Sequence, residues 1–128
     1  MKEVRDIVSE TYSELHAQDK EFGEVIPKAR KFVDPKGVIV ARREHIPFYI
    51  GVPRVNLPNV KSLEDFRVWV EKLPEERPIY IYFGSDEKKF RPQLGQLSSA
   101  QKPPDWIEPL AQSQVPNMWV LYSVKRGH

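Results

Sequence analysis

Two polar clusters hold most of the chemistry open to this chain. The first is Arg42, Arg43, Glu44 and His45; the second is Asp86, Glu87 and Lys88, with Arg91 a turn further on. Arginine offers a planar fork of donors that grips a phosphate or carboxylate through two parallel hydrogen bonds. His45 could add a donor beside it. Arg42, His45, Asp86, Glu87 and Arg91 are therefore candidate binding residues for a small anion or sugar, with Tyr49 as the nearest aromatic. The same residue types have a plainer use. Asp86 or Glu87 can cap a following helix, where an acid suits the positive end of the macrodipole. Arg42 or Arg91 can tie two loops together as an ion pair, and ion-pair networks cluster charges much as sites do.

Other chemistries lack their residues. There is no cysteine, which removes thiol catalysis, disulfides and Cys-ligated zinc. His16, His45 and His128 stand apart, with no pair at ligand spacing, so no metal site is expected. Ser85 follows Gly84 without the glycine-flanked elbow of a serine hydrolase. No glycine-rich phosphate cradle occurs, and no cofactor is expected. Glu87-Lys88-Lys89 matches half of a nuclease motif, but the Gly84-Ser85 break ahead of it takes it off the strand such a site needs. No residue is assigned a catalytic role. Tyr80, Tyr82, Trp106, Trp119 and Tyr122 could stack on a sugar, yet aromatics at alternating strand positions more often pack a sheet face. The 20 basic and 18 acidic residues leave a formal charge of +2. That charge is small and interleaved, so no nucleic-acid partner is expected.

The elements that must position these clusters are readable along the chain. Its 128 residues, 40% hydrophobic and 30% charged, suit one globular α/β domain over residues 1–126. Residues 1–23 are expected to form an N-terminal helical segment, with Val4, Ile7, Val8, Thr11 and Leu15 at helical spacing. Gly127 and His128 are set aside as a tag remnant. A second helix is expected from Glu24 to Val33, burying Val25, Ile26, Ala29, Phe32 and Val33, with Pro27 in its first turn. Asp34-Pro35-Lys36-Gly37 stops it. Val38–Ala41 reads as a strand buried on both faces, Ile46–Gly51 as mixed, and Arg54–Leu57 as a short strand. Ser62-Leu63-Glu64-Asp65 is a capping box that opens a helix with Leu63, Phe66, Trp69, Val70 and Leu73 on one face. Ile79–Phe83 is the clearest strand. Asp86–Leu97 follows as a short helix broken at Pro92. Trp106–Ala111 and Met118–Val124 close the chain as two antiparallel strands. The order predicts a layered, Rossmann-like, mostly parallel sheet of about five strands, with helices on its faces and an antiparallel C-terminal hairpin at one edge. In such sheets ligands favour the crevice beyond the carboxyl ends of the strands, where both polar clusters would fall.

Three stretches carry a family likeness. They are Gly37–Arg42 with His45–Gly51; Arg54–Pro58 with the helix from Leu63; and Tyr80–Glu87 with Arg91–Leu94, closed by Trp106–Leu110 and Val120–Val124. In this order they resemble the soluble C-terminal domain of multi-spanning membrane glycosyltransferases of the protein mannosyltransferase and aminoarabinose transferase type, over about residues 24–124. The resemblance implies an extracytoplasmic, non-catalytic accessory domain whose partner is the membrane-embedded region of an enzyme that uses lipid-linked sugars. It assigns no catalytic residue here, because in that superfamily the catalytic acid lies near the first membrane spans. No run in this chain approaches the ~20 apolar residues of a span. Lys2, Glu3, Arg5 and Asp6 also stand where a signal peptide would need its apolar core. The other reading is a free-standing module that binds its small ligand at the sheet edge.

Overall fold

Val38–Ala41 (β1) has the burial expected of a strand covered on both faces: Ile39, Val40 and Ala41 are fully buried. The computed structural model describes residues 20–74, 76–114 and 118–125, so the helical reading of Val4–Leu15 lies outside it. β1 pairs in parallel with Arg54–Asn56 (β2) on one side and with Ile79–Phe83 (β3) on the other. β3 also pairs antiparallel with Val120–Val124 (β5), and β5 pairs antiparallel with the edge strand Ile107–Gln112 (β4). The five-stranded sheet thus runs β2-β1-β3-β5-β4.

The sheet is mixed: β2, β1 and β3 pair in parallel, and both pairings of β5 are antiparallel. The C-terminal hairpin docks through its second strand directly onto central β3, so it supplies both antiparallel pairings. Pro109 lies in β4 beside a register shift between Pro109 and Ala111. An edge strand tolerates the ladder bond that proline cannot give.

Alternation along the strands sends side chains to two cores. Val40, Ile79, Ile81, Phe83, Val120 and Tyr122 meet Phe66 and Val70 of Leu63–Glu71 (α3) together with Leu94 and Leu97. Ile39, Ala41, Tyr80, Tyr82 and Leu121 turn the other way, against Val25, Ala29 and Val33 of the first described helix and its end (α1, residues 20–32). Helices therefore cover both faces. α3 starts where its capping residues put it: the Ser62 hydroxyl accepts from the Asp65 amide at 3.1 Å, a cap worth about 1 kcal/mol.

Three local expectations need revision. α1 begins at least four residues before Glu24, so Pro27 sits in its interior rather than its first turn. The carbonyl that Pro27 leaves without a partner belongs to Gly23. Both residues lie on the exposed side, within reach of water. Phe32, expected on the apolar side, is 39% exposed, because the buried stripe runs through Val25, Ala29 and Val33. The mixed segment after β1 contains a short helix, His45–Ile50 (α2), ended by Gly51 in the left-handed conformation at φ 73°. The stretch expected as one broken helix is Glu87–Phe90 (α4) followed by a 3-10 helix, Pro92–Ser98.

Candidate functional site

Because β1 and β3 are parallel neighbours in register, with Val40 opposite Ile81, their carboxyl ends finish side by side. Arg42 leaves β1 and Gly84-Ser85-Asp86-Glu87 leave β3 at the same edge. Arg42 Nε donates to Glu87 Oε1 and Oε2 at 3.0 and 3.2 Å, and its Nη2 donates to Asp86 Oδ2 at 2.9 Å. Arg43 Nη2 donates to that same Asp86 oxygen. The guanidinium of Arg42 lies 4.1 Å above the Phe90 ring, a cation–π contact that fixes its plane. Asp86 stands at the N-cap position of α4 but makes no side-chain cap bond. Its carboxylate serves the arginines instead.

Glu87 is the chemically unusual member. Only 3% of it is exposed, and burial pushes its carboxyl up to about 7, with Asp86 adding to the rise and Arg42 opposing it. A carboxylate loses its hydration on burial, and the arginine replaces only part of it. Tyr82, reaching the same end of β3, is raised well above the ordinary phenol value by burial and by Glu21. Its hydroxyl donates to the Glu21 carboxylate, whose other oxygen accepts from the Ser85 amide at 3.4 Å.

Above this network lies a cavity of about 330 Å³. Arg43 comes from the β1–α2 connection and His45 and Ile46 from the start of α2; Ser85 and Asp86 come from the β3–α4 turn and Glu87, Lys89 and Phe90 from α4. Glu21 and Phe22 of α1 and Met118 ahead of β5 complete the wall. Met118 arrives because β5 runs antiparallel to β3, with Val120 paired to Phe83. His45 stacks on Phe22, their ring centroids 5.2 Å apart. It also borders a shallow depression shared with Glu44, Phe48 and Tyr49.

The structure brings Arg42, His45, Asp86 and Glu87 together, as the shared edge predicts, but not Tyr49 or Arg91. Tyr49 points outward, 53% exposed, with its backbone carbonyl held by Arg30. The α2 turn, which the sequence pattern does not announce, carries it to the adjoining depression instead of the cavity wall. Arg91 faces the β2–α3 connection, where its Nε donates to the Pro58 carbonyl at 3.2 Å and its Nη2 reaches the Leu57 carbonyl at 3.5 Å. It is a staple between loops. Lys88 runs over Gly95 of the 3-10 helix. Arg54, in sequence only a strand residue, has a further task. Its Nη1 donates to the carbonyls of Ala41 and Arg42 at 3.3 and 3.0 Å, fixing the end of β1.

Glu21, Phe22, Phe90 and Met118 are not marked in the sequence as candidate binding residues, and Lys89 only as part of the set-aside Glu87-Lys88-Lys89 pattern. A signal for the first two exists: they precede Val25 by four and three residues, which is helical spacing. Placing Pro27 in the first turn hides them. Tyr80, Tyr82, Trp119 and Tyr122 are all buried, in keeping with sheet packing. Among the described residues no group of three or more His, Asp or Glu side chains is placed to hold a metal ion, and no helix is long and apolar enough to cross a membrane. No family model, curated protein or solved structure matches this chain.

Proposed function

We propose that this chain is a non-catalytic accessory domain, with Rossmann-like layering, of a membrane glycosyltransferase of the protein mannosyltransferase and aminoarabinose transferase type. The observation that carries the reading is the apolar rim on the ligand edge of the sheet. Phe48 is 78% exposed, Tyr49 53%, Phe90 46% and Met118 42%. His45 links the two halves of this rim, since it borders both the cavity and the Phe48 depression. Val68 and Phe32 are also exposed, but the four rim side chains border two adjoining hollows, and clustered exposed apolar side chains are the usual mark of a docking surface. The occupant argued for is the membrane-embedded part of the same enzyme, which the family pattern places next to such a domain. The polar groups beneath the rim are tied to one another, which supports a structural rather than catalytic role for them.

Sequencing the gene on both sides of these codons tests the proposal directly. The expected result is several hundred in-frame codons upstream of Met1 that encode repeated apolar spans. A native start at Met1 overturns it. A second reading, a module that binds a small anion or sugar, is favoured by one specific feature, the cavity at the carboxyl ends of β1 and β3. That is where open α/β sheets place their ligands.

A further inference from the structure

We infer that the cavity beyond β1 and β3 takes a neutral polyhydroxylated ring, a single sugar unit, rather than an anion. The inference rests on the second reading above and names its ligand class. Two observations argue against an anion. The arginines at this edge are already engaged: Arg42 is held by Glu87 and Asp86, and Arg43 by Asp86. Among the described residues Lys89 is the remaining permanent cation on the wall, and three carboxyl side chains, Glu21, Asp86 and Glu87, line the same space. An incoming phosphate would meet more acid than available base and would have to break an ion pair to find a fork.

The same wall suits hydroxyl groups. A carboxylate accepts through two oxygens with about four lone-pair sites. The Glu21 oxygens each take one protein donor, from the Tyr82 hydroxyl and the Ser85 amide, which leaves acceptor capacity for a sugar O–H. The Ser85 hydroxyl and the Lys89 ammonium can donate to hydroxyl or ring oxygens. Phe22 and Phe90, with Ile46 and Met118, give apolar surface for the C–H faces of a ring. Aromatic walls with a few fixed polar groups are the usual composition of a small-molecule site. The volume of about 330 Å³ equals roughly ten waters at ~30 Å³ each, room enough for one hexose.

The test is an amide-resolved NMR titration of the intact chain with D-glucose, D-mannose and N-acetylglucosamine in turn, and separately with inorganic phosphate. At least one sugar is expected to give saturable shifts at Ser85, His45 and Lys89 with a Kd in the millimolar range, while phosphate leaves those amides in place. Ser85→Trp, which fills the cavity from an exposed position, should abolish the sugar shifts while leaving the chain folded. If that variant does not fold, Lys89→Ala serves in its place, with an expected several-fold weaker Kd. Saturable shifts from phosphate and none from sugar overturn this inference but leave the cavity reading standing. No saturable shift from either overturns both.

Discussion

Replacing Glu87 with glutamine asks which force governs the buried end of the Arg42 clamp. Burial raises the Glu87 carboxyl from 4.5 to about 7 even though Arg42 pulls it down. A rise of that size is worth roughly 3 kcal/mol of differential proton binding between folded and unfolded chains. Because the folded value is the higher one, the native state keeps a proton that the unfolded chain has already lost. That contribution is complete below about pH 4.5 and is lost as the pH climbs through about 7. A glutamine amide in its place does not titrate. Urea unfolding of both proteins from about pH 4 to about pH 8 reads the effect, since groups not in contact with Glu87 cancel in the difference. Relative to wild type, the Glu87→Gln variant should gain roughly 3 kcal/mol across that range, most steeply between about pH 5 and pH 7. A flat difference refutes the reasoning. So does a slope of opposite sign, which would mean that the arginine outweighs desolvation.

Three further outcomes are expected, one at the clamp and two at glycines. Arg42→Met should cost about 3 kcal/mol near pH 8, because it strands a buried carboxylate, and less near pH 5, where Glu87 holds a proton; adding Glu87→Gln should recover much of the loss in the same urea assay. Gly37→Ala should destabilise by about 1–3 kcal/mol through overpacking, since a Cβ there would lie 2.7 Å from the Tyr80 ring and 2.9 Å from the Pro78 carbonyl oxygen; thermal unfolding reads this. Gly51→Ala meets no neighbour within 4 Å, so its expected cost of about 1 kcal/mol comes from the left-handed backbone alone, and Gly51→Asn should lose less by the same measurement.

The central strands β1 and β3 and the C-terminal β5 are legible in the sequence because they are short runs rich in apolar residues, while β2 and β4 at the edges carry polar residues and are marked mainly by the breakers around them. Ile79–Phe83 alternates side chains between two covered faces, so its whole length is hydrophobic, and that is readable without any partner. Pairing direction is less legible: nothing in Val120–Val124 states that it will lie against β3 instead of at the edge. α2 is hidden because six residues are too few for a helical period to show, and its fold comes from Gly51 and from the burial of Ile46 and Pro47. Half the site is foreseeable, as Arg42, His45, Asp86 and Glu87 flank two strands that the pattern makes neighbours. Glu21 and Met118 come from segments distant in the chain, and only the folded topology brings them to that edge.

The arginine clamp also explains why an edge that looks reactive in sequence is better suited to holding shape. A general acid or base must meet its substrate with a free oxygen. Glu87 has the raised affinity for a proton that such chemistry favours, yet both its oxygens face Arg42 Nε and it is nearly closed to solvent. The exposed groups above it, Ser85 and Lys89, can form hydrogen bonds, while the group with the perturbed proton affinity lies under them. Glu87 nevertheless borders the cavity, so filling that space by Ser85→Trp should deepen the desolvation of its carboxyl. The loss of stability with rising pH should then extend to higher pH than in wild type, read by the same urea unfolding. An unchanged dependence would show that the cavity and the clamp are uncoupled.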